Sequence, residues 1–232
     1  MSEVSFALPG HRQVHAVLVM MDSAFLAKTR CFFGGGTRIV LELGEYRESG
    51  DMEFLCSDRD GYRLLRESVS GTSLGPILAP KLSLAREVRA DQYGIRTFIE
   101  HDESKLKFEI VKEARIEIDG ETIAGIPVAC LTRRHCFAEK FLANADRGLD
   151  ASTLSRDIVD LSFMIEGWSR QDADAGMAMA KMAYGGSVLR SLAMVTRKMR
   201  EDRIYRSRCV DGLAISEPKI LSAGIKALAA IE

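Results

Sequence analysis

The sequence predicts an α+β protein with a mixed sheet in its first part and helices in its second part. Three observations predict this class. Apolar and polar residues alternate in short segments between residues 82 and 130, which is typical of strands. From Leu131 onward, apolar residues recur at helical spacing. Three glycines, Gly34 to Gly36, follow a short apolar run and indicate a strand-to-helix turn. The change of pattern divides the chain into two domains, residues 1–130 and 131–232.

The first domain begins with a helix, because apolar side chains in the first 30 residues have helical spacing after Pro9 and Gly10. This helix is expected to lead into an apolar strand that ends in the three glycines. A short helix over residues 38–43, a polar loop and a strand with Asp51 and Glu53 follow. The remaining pattern predicts a helix at 60–69, a loop at 70–80, strands at 93–99 and 106–111 joined at 101–104, and an edge strand at 126–129.

The second domain is predicted to contain successive helices. Phe137 and Phe141 lie on one apolar face, and Leu154 and Ile158 lie on the next. Ser152 or Ser155 is expected to cap the helix that contains Leu154 and Ile158. The pattern then predicts an Ala- and Met-rich helix at 172–184, ended by Gly185 and Gly186, and a helix at about 187–203. A last helix is predicted to begin at Ser216, Glu217 and Pro218 and to bury Ile220, Leu228 and Ile231.

Composition excludes several classes of protein. The chain has 232 residues, is 47% hydrophobic and carries a formal net charge of -1, so any contact with nucleic acid needs a local basic patch. It has 5 cysteines without a CxxC spacing, which predicts reduced thiols in the cytoplasm. Cys130 and Cys136 near His135 match no zinc-binding spacing. No apolar run approaches the roughly 20 residues that span a bilayer, so no membrane partner is expected.

The segment from residue 31 to 54 has the composition of a phosphate and metal site. Glycines at a strand-to-helix turn allow positive φ and close approach of a ligand. The free N–H groups of the following helix suit phosphate, and Thr37 could cap that helix or bind a phosphate oxygen. Asp51 and Glu53 share one face of a strand, where two carboxylates favour a hard cation such as Mg²⁺. Taken singly, the glycines are more often a simple turn and the acids a solvated face.

The order of these residues resembles the DNA polymerase β-like nucleotidyltransferase superfamily, and most closely its AbiEii/AbiGii branch of abortive-infection toxins. The resemblance is carried by Gly35, Gly36, Thr37, Leu43, Gly44, Arg47, Ser49, Asp51, Glu53 and Phe54. Two positions depart from the family pattern. Glu53 stands where Asp is usual, which lengthens a metal ligand, and Arg38 stands where a small residue is usual.

The resemblance implies a polymerase β-like domain followed by a helical domain, and it assigns roles to further residues. Glu109, in a Lys-containing strand, would be the third carboxylate beside Asp51 and Glu53, which together would be the catalytic residues and metal ligands. Lys140 and the Arg-Asp-x-x-Asp-Leu run with Asp157 and Asp160 match later toxin motifs. The nucleotide-binding set would be Gly35, Gly36, Thr37, Ser49, Lys140, Asp157 and Asp160.

Alternatives remain open for the later residues. Lys140, Asn144 and Arg147 share a helix face that could hold a triphosphate, and Asp157 with Asp160 could orient Lys140 or pair with Arg156. Glu109 could form only a cross-strand ion pair. The basic residues between 190 and 208 could contact RNA or form a solvated helix face.

The expected function is Mg²⁺-dependent transfer of a nucleoside monophosphate from an NTP to an acceptor. By resemblance, the protein would be a toxin of a toxin–antitoxin or abortive-infection system, with transfer RNA as the favoured acceptor and an antitoxin protein as partner. The alternatives are a nucleotidyltransferase that modifies a small molecule such as an antibiotic, and a catalytically silent nucleotide-binding protein on the same fold.

Overall fold

The computed structural model describes residues 6–231, and within them the chain forms ten helices and eight strands. The helices are α1 Pro9–Val19, α2 Ser23–Lys28, α3 Gly35–Glu42, α4 Arg59–Ser68, α5 Arg133–Arg147, α6 Arg156–Gly167, α7 Arg170–Tyr184, α8 Ser187–Glu201, α9 Arg203–Gly212 and α10 Pro218–Leu228. The strands are β1 Phe32–Phe33, β2 Met52–Cys56, β3 Ser83–Leu84, β4 Arg89–Ala90, β5 Gly94–His101, β6 Ser104–Lys112, β7 Gly120–Glu121 and β8 Cys130–Leu131.

The chain divides into two compact units. The first contains the residues up to Leu41 together with Ser49–Thr132, and the second contains Glu42–Glu48 together with the chain from Arg133 onward. All the strands lie in the first unit, and α5 to α10 lie in the second. The predicted α+β class with a mixed sheet is confirmed.

The sheet of the first unit has the strand order β3-β5-β6-β2-β1-β8-β7, and β4 pairs with β5. The β5–β6 hairpin is antiparallel, whereas β2 and β6 run parallel. Their register places Glu53 opposite Glu109 and Phe54 opposite Ile110. The sheet therefore brings two segments that are far apart in sequence side by side at its centre.

Alternation along β2 separates the core from the candidate site. Met52 and Phe54 are buried, and the rings of Phe33, Phe54 and Phe108 pack in a row at tilted angles, with centroid distances of 5.3 and 5.8 Å. Glu53, between the two buried residues, projects from the opposite face. Burial of these aromatic side chains fixes the register, because a slip of one residue would exchange the two faces.

Two predicted elements of the first unit are wrong. The single helix expected before residue 31 is two helices, since the chain turns at Met21 and Asp22 caps α2 by accepting a hydrogen bond from Phe25 N at 2.8 Å. Residues 126–129 do not form a strand; Ile126 and Val128 are buried in a loop, and the pairing strands are β7 and β8 on either side. Apolar spacing alone does not distinguish a helix break or a buried loop from a continuous element.

The second unit is a set of packed helices in which α5 contacts α6, α7 and α8, and α10 packs against α6. The last helix begins at Pro218, as predicted, but its buried side chains are Leu221, Ile225 and Leu228. Ile220 is 39% exposed, so its predicted burial is wrong. Ser155 stands at the N-cap position of α6 but bonds Tyr205 Oη at 2.9 Å and not the helix backbone.

All five cysteines fall within the described chain and are buried outside any disulfide. Burial raises the pKa of Cys56 to about 11, so its thiol stays protonated at neutral pH. No helix between residues 6 and 231 is both long and apolar enough to cross a bilayer.

We predict opposite effects for two Gly→Ala substitutions within helices. A Cβ at Gly224 of α10 would overlap the carbonyl oxygen of Ser162 in α6, so G224A should lower the free energy of unfolding by about 1–3 kcal/mol. Gly10 of α1 has open space around it, so G10A should raise that free energy by up to about 1 kcal/mol. Urea unfolding of both variants checks the pair, and equal effects would contradict the close α6–α10 packing.

Candidate functional site

The glycine turn joins β1 to the first turn of α3. Gly34 N donates a hydrogen bond to Glu53 O at 2.8 Å, which ties the turn to β2. Gly35 has a φ of 66°, the left-handed region that favours glycine, and a Cβ there would overlap the Glu53 carboxylate. Gly35 and Gly36 thus lie in the first turn of α3, with the acidic side chain of β2 directly against the backbone of Gly35.

Thr37 positions the chain that leads into β2. Its hydroxyl donates to Asp51 O at 2.6 Å and contacts Ser49 Oγ at 2.8 Å. Ser49 N donates to Nε2 of the buried His11 at 3.2 Å. In this structure the Thr37 hydroxyl makes hydrogen bonds that hold the backbone of Asp51, and its expected phosphate contact stays a prediction. His11 is a supporting residue that the sequence pattern did not reveal.

The three candidate carboxylates come from two adjacent strands. Glu53 and Glu109 are register partners on β2 and β6, and Asp51 lies immediately before β2. Since Met52 pairs with Phe108, continuation of the same register places Asp51 opposite Lys107. Alternation then directs all four side chains to one face of the sheet.

Two basic side chains pair with Asp51 and Glu109 of this acidic group. Arg96 Nε donates to Glu109 Oε1 at 2.6 Å from β5, where Arg96 is the register partner of Glu109. Lys107 Nζ lies 3.2 Å from Glu109 Oε2 and 3.9 Å from Asp51 Oδ2. Partial burial opposes ionisation of Glu109, but its hydrogen bonds to Arg96 and Lys107 outweigh burial and lower its pKa. Glu109 is therefore ionised at neutral pH.

The donor set fits a divalent cation in its chemistry. Asp51 and Glu109 supply hard carboxylate oxygens, and the ammonium of Lys107 already lies near both as a stand-in cation. In the described part of the chain, no three His, Cys, Asp or Glu side chains yet converge closely enough to hold a metal ion. Asp51 and Glu109 thus lie on the same face of the sheet, but their carboxylates pair with Lys107 and Arg96.

The candidate residues of the second unit form a buried ionic network. Lys140 Nζ lies 3.0 Å from Asp157 Oδ1 and 2.7 Å from Asp160 Oδ2. Arg147 also binds Asp157, through Nε at 2.8 Å and Nη2 at 3.0 Å. The open alternative in which Asp157 and Asp160 orient Lys140 matches these distances. The side chain of Lys140 is only 9% exposed and its charge is already paired, so it does not present a free ammonium to a triphosphate in this structure.

Segment Glu42–Glu48 completes this network from a distant part of the sequence. Arg47 binds Asp160 with two hydrogen bonds, from Nε to Oδ1 at 2.7 Å and from Nη2 to Oδ2 at 2.8 Å. Tyr46 Oη donates to Asp160 Oδ1 at 2.7 Å, and its ring stacks on Phe163 at 3.8 Å between centroids. Arg47 is one of the residues near the glycine turn that carry the family resemblance, but its side chain binds within the second unit.

Charge in the network is nearly balanced, with three cationic and two anionic side chains. Burial raises the pKa of Asp160, but the charges of Arg47 and then Lys140 overcome that effect and hold it far below its ordinary value. Burial lowers the pKa of Lys140, yet Asp160 and Asp157 raise it overall. All members thus stay ionised, and Arg147, whose side chain is 40% exposed, is the member that reaches solvent.

Arg96 is the second residue that sequence reasoning missed, although a signal for it was present. The hairpin predicted at residues 101–104 pairs His101 with Ser104, and counting back along both strands pairs Arg96 with Glu109. The predicted hairpin therefore already implied that Arg96 lies directly across from Glu109. The pairing of Arg47 with Asp160 could not be found by counting along a hairpin, because the two residues are 113 positions apart in the chain.

Comparison with known families gives one match. A family model described as "Nucleotidyl transferase AbiEii toxin, Type IV TA system" matches residues 17–209, which includes the glycine turn, all three carboxylates and the buried network. The chain matches none of the curated proteins in sequence.

Two solved structures share the fold. One is an H. pylori protein described as a candidate nucleotidyltransferase; it has a TM-score of 0.55 and 15% sequence identity, over 97% of this chain and 96% of that chain. The other is JHP933 from Helicobacter pylori, with a TM-score of 0.54 and 15% identity, over 97% and 94% of the two chains. At this identity, the likeness is one of fold.

We predict that loss of one network charge destabilises the second unit. Asp160→Asn should cost about 3–5 kcal/mol, because it leaves buried cations without their partner. Asp174→Asn is the matched control; its exposed pair with Arg170 should cost less than about 1 kcal/mol. Chemical denaturation measures both, and a similar small cost for the two variants would contradict the network's role.

The same network predicts a pH dependence of stability. The folded-state pKa of Asp160 lies below its ordinary value of 3.8, so its contribution is complete above that value and is lost as pH falls below it. The melting temperature of the wild type should therefore drop between about pH 4 and pH 2. Asp160→Asn should show a smaller drop over the same interval, and parallel curves would argue against this assignment.

Proposed function

The chain belongs to the AbiEii nucleotidyl transferase toxin family of type IV toxin–antitoxin systems, and from this premise we propose that it transfers a nucleoside monophosphate from an NTP to RNA with Mg²⁺. Family membership implies a nucleotide substrate and a cognate antitoxin. One observation supports the proposal above all: the carboxylates of Asp51 and Glu109 both lie near the ammonium of Lys107, beside the glycine turn.

Asp51, Glu53 and Glu109 would hold the divalent metal. Such an ion neutralises phosphate charge and lowers the pKa of an oxygen nucleophile. Glu53 already lies against Gly35, so its longer side chain links the proposed metal site to the start of α3. Gly35 and Gly36 would offer backbone N–H groups to the phosphates, while Thr37 and Ser49 would act by holding Asp51 in place.

In the proposed reaction, the oxygen of an acceptor hydroxyl attacks the α-phosphorus of the NTP. A new oxygen–phosphorus bond forms, the bond from the α-phosphorus to the α,β-bridging oxygen breaks, and pyrophosphate leaves. The hydroxyl proton passes to the ionised Glu109. Arg96 keeps this carboxylate in position through its hydrogen bond of 2.6 Å.

Lys140, Asp157 and Asp160 would serve nucleotide binding indirectly. Their charges pair with one another inside the second unit, and Asp157 fixes the partly exposed guanidinium of Arg147 with two hydrogen bonds. A guanidinium held in this way is suited to a phosphate, because its planar donors are already oriented. We assign direct phosphate contact to Arg147 and a positioning role to the other three.

An exposed basic surface supports RNA as the acceptor. Residues 187–212 contain seven basic and three acidic side chains, so this segment has a net charge of +4 in a chain of -1. The arginines that we call the arginine surface are exposed and form no ion pair among residues 6–231; they are Arg190, Arg197, Arg200, Arg203 and Arg208. Unpaired arginines along two successive helices match the spaced negative charges of an RNA backbone.

The decisive experiment incubates the purified protein with Mg²⁺, total bacterial RNA and each of the four labelled NTPs in turn. Label in the transfer RNA band supports the proposal and identifies the nucleotide. A parallel incubation replaces the RNA with an aminoglycoside, and label in the aminoglycoside but not in RNA would replace RNA with a small-molecule acceptor. NTP and Mg²⁺ binding without any transfer would indicate a silent nucleotide-binding protein.

Removing a proposed metal ligand should abolish transfer without unfolding the protein. Asp51→Ala and Glu109→Ala should each lower kcat by about a hundredfold or more, because charge at the phosphorus is no longer stabilised. Glu67→Ala, an exposed acid on α4, is the control and should keep full activity. Circular dichroism verifies folding, and full activity in both site variants would refute the mechanism.

Neutralising the arginine surface should weaken RNA binding. Arg197→Gln combined with Arg200→Gln should raise the Kd for RNA and reduce the slope of log Kd against log salt by about 1 per lost phosphate contact. Arg63→Gln with Arg66→Gln on α4 has the same spacing and the same charge change, so it is the control. Equal Kd values for the two double variants would exclude this surface as the RNA contact.

A further inference from the structure

Lys107 stands between the two outer carboxylates of the candidate metal site. Its ammonium lies 3.2 Å from Glu109 Oε2 and 3.9 Å from Asp51 Oδ2. The strand register accounts for this placement, because the pairing of Met52 with Phe108 puts Asp51, immediately before β2, beside Lys107 on β6. The sheet therefore delivers a cationic side chain to the same face as the acids.

We propose that Lys107 is an exchangeable counter-ion, which holds Asp51 and Glu109 in the metal-free protein and withdraws when a divalent cation binds. The inference rests on the proposed metal-dependent function and names the residue of this chain that competes with the metal. It explains why the acids lie together although no three of them in the described chain converge as a ready-made metal site.

Lys107 has the properties that such an exchange needs. Its side chain is 44% exposed, so water is available to the ammonium when it leaves. Among residues 6–231, its ion-pair partners are confined to these two carboxylates. A lysine side chain is flexible and carries a compact charge, so it can move without disturbing β6.

Arg96 differs from Lys107 and is expected to stay in place. Its guanidinium lies 2.6 Å from the Glu109 carboxylate and 3.4 Å from that of Asp91, so a second carboxylate helps to hold it. Glu109 would then retain one basic partner while its Oε2 exchanges ammonium for metal. Arg96 would thus orient Glu109, whereas the ammonium of Lys107 would occupy the position of the metal ion until that ion binds.

The consequence is a metal affinity that Lys107 limits. An ammonium about 4 Å from a dication repels it even in water, and the ion must displace that charge before both carboxylates are available. In return, the acidic side chains do not repel one another when metal is absent. Removing the ammonium while keeping the length of the side chain should therefore strengthen metal binding.

The test measures the Kd of Mn²⁺ by titration calorimetry in the absence of NTP and RNA. Lys107→Met should lower this Kd about tenfold relative to the wild type. Lys105→Met is the matched control, because Lys105 lies two residues earlier on the same face of β6, is exposed and is not an ion-pair partner of Asp51 or Glu109. Its Kd should stay within about twofold of the wild type. Adding Asp51→Asn to Lys107→Met should cancel the gain.

Other outcomes would overturn the proposal. An unchanged or weaker Mn²⁺ affinity of Lys107→Met, with Asp51→Asn still abolishing binding, would show that the metal site exists but that Lys107 does not compete for it. A gain shared equally by Lys105→Met would reduce the effect to general surface charge. Absence of Mn²⁺ binding in every variant would overturn the inference and the metal assignment together, whereas nucleotide transfer is decided separately by the RNA-labelling experiment.

Discussion

Parallel pairing of β2 with β6 is the constraint on which the first unit depends. The register of these two strands determines which side chains meet on each face of the sheet. On one face it joins Phe54 and Phe108 in the aromatic core, and on the other it aligns Asp51 and Glu53 with Lys107 and Glu109. Because alternation couples the faces, the apolar side chains that stabilise the sheet also fix the spacing of the acids. Positioning of the candidate site is therefore a by-product of core packing.

The second unit is organised by charge as well as by apolar packing. Asp160 is fully buried and accepts hydrogen bonds from Tyr46, Arg47 and Lys140. A buried network of this kind contributes less to net stability than an apolar core of equal volume, but it tolerates only one arrangement of its partners. This property suits Arg147, whose side chain is 40% exposed and whose guanidinium is held in one orientation by two hydrogen bonds to Asp157.

Much of the fold followed from sequence pattern, and the reasons for the failures are specific. The β5–β6 hairpin and the acidic strand were predictable, because alternation and turn residues are local signals. The break at Met21 was not, since Asp22 can cap a helix only if the chain has already turned there. Residues 126–129 resembled a strand in the sequence because their apolar side chains Ile126 and Val128 are buried, although the segment is a loop.

The candidate site shows the same limit. The residue types and their order indicated a nucleotidyltransferase, and the family match agrees. The sequence pattern did not indicate which side chains and backbone groups these residues contact. Burial of Lys140 depends on contacts between two helices, and the role of Thr37 depends on where the backbone of Asp51 passes. Such facts arise only when distant segments meet.

The position of Tyr46 and Arg47 has a consequence for how the protein is made. These residues leave the ribosome long before Asp160, their partner 113 positions later, so the helical unit cannot complete its ionic centre from its own contiguous sequence. The loop that carries them must stay available while the intervening sheet is synthesised. Contacts between residues so far apart in the chain raise the contact order, which slows folding, and the second unit cannot close its ionic centre until α6 has been made.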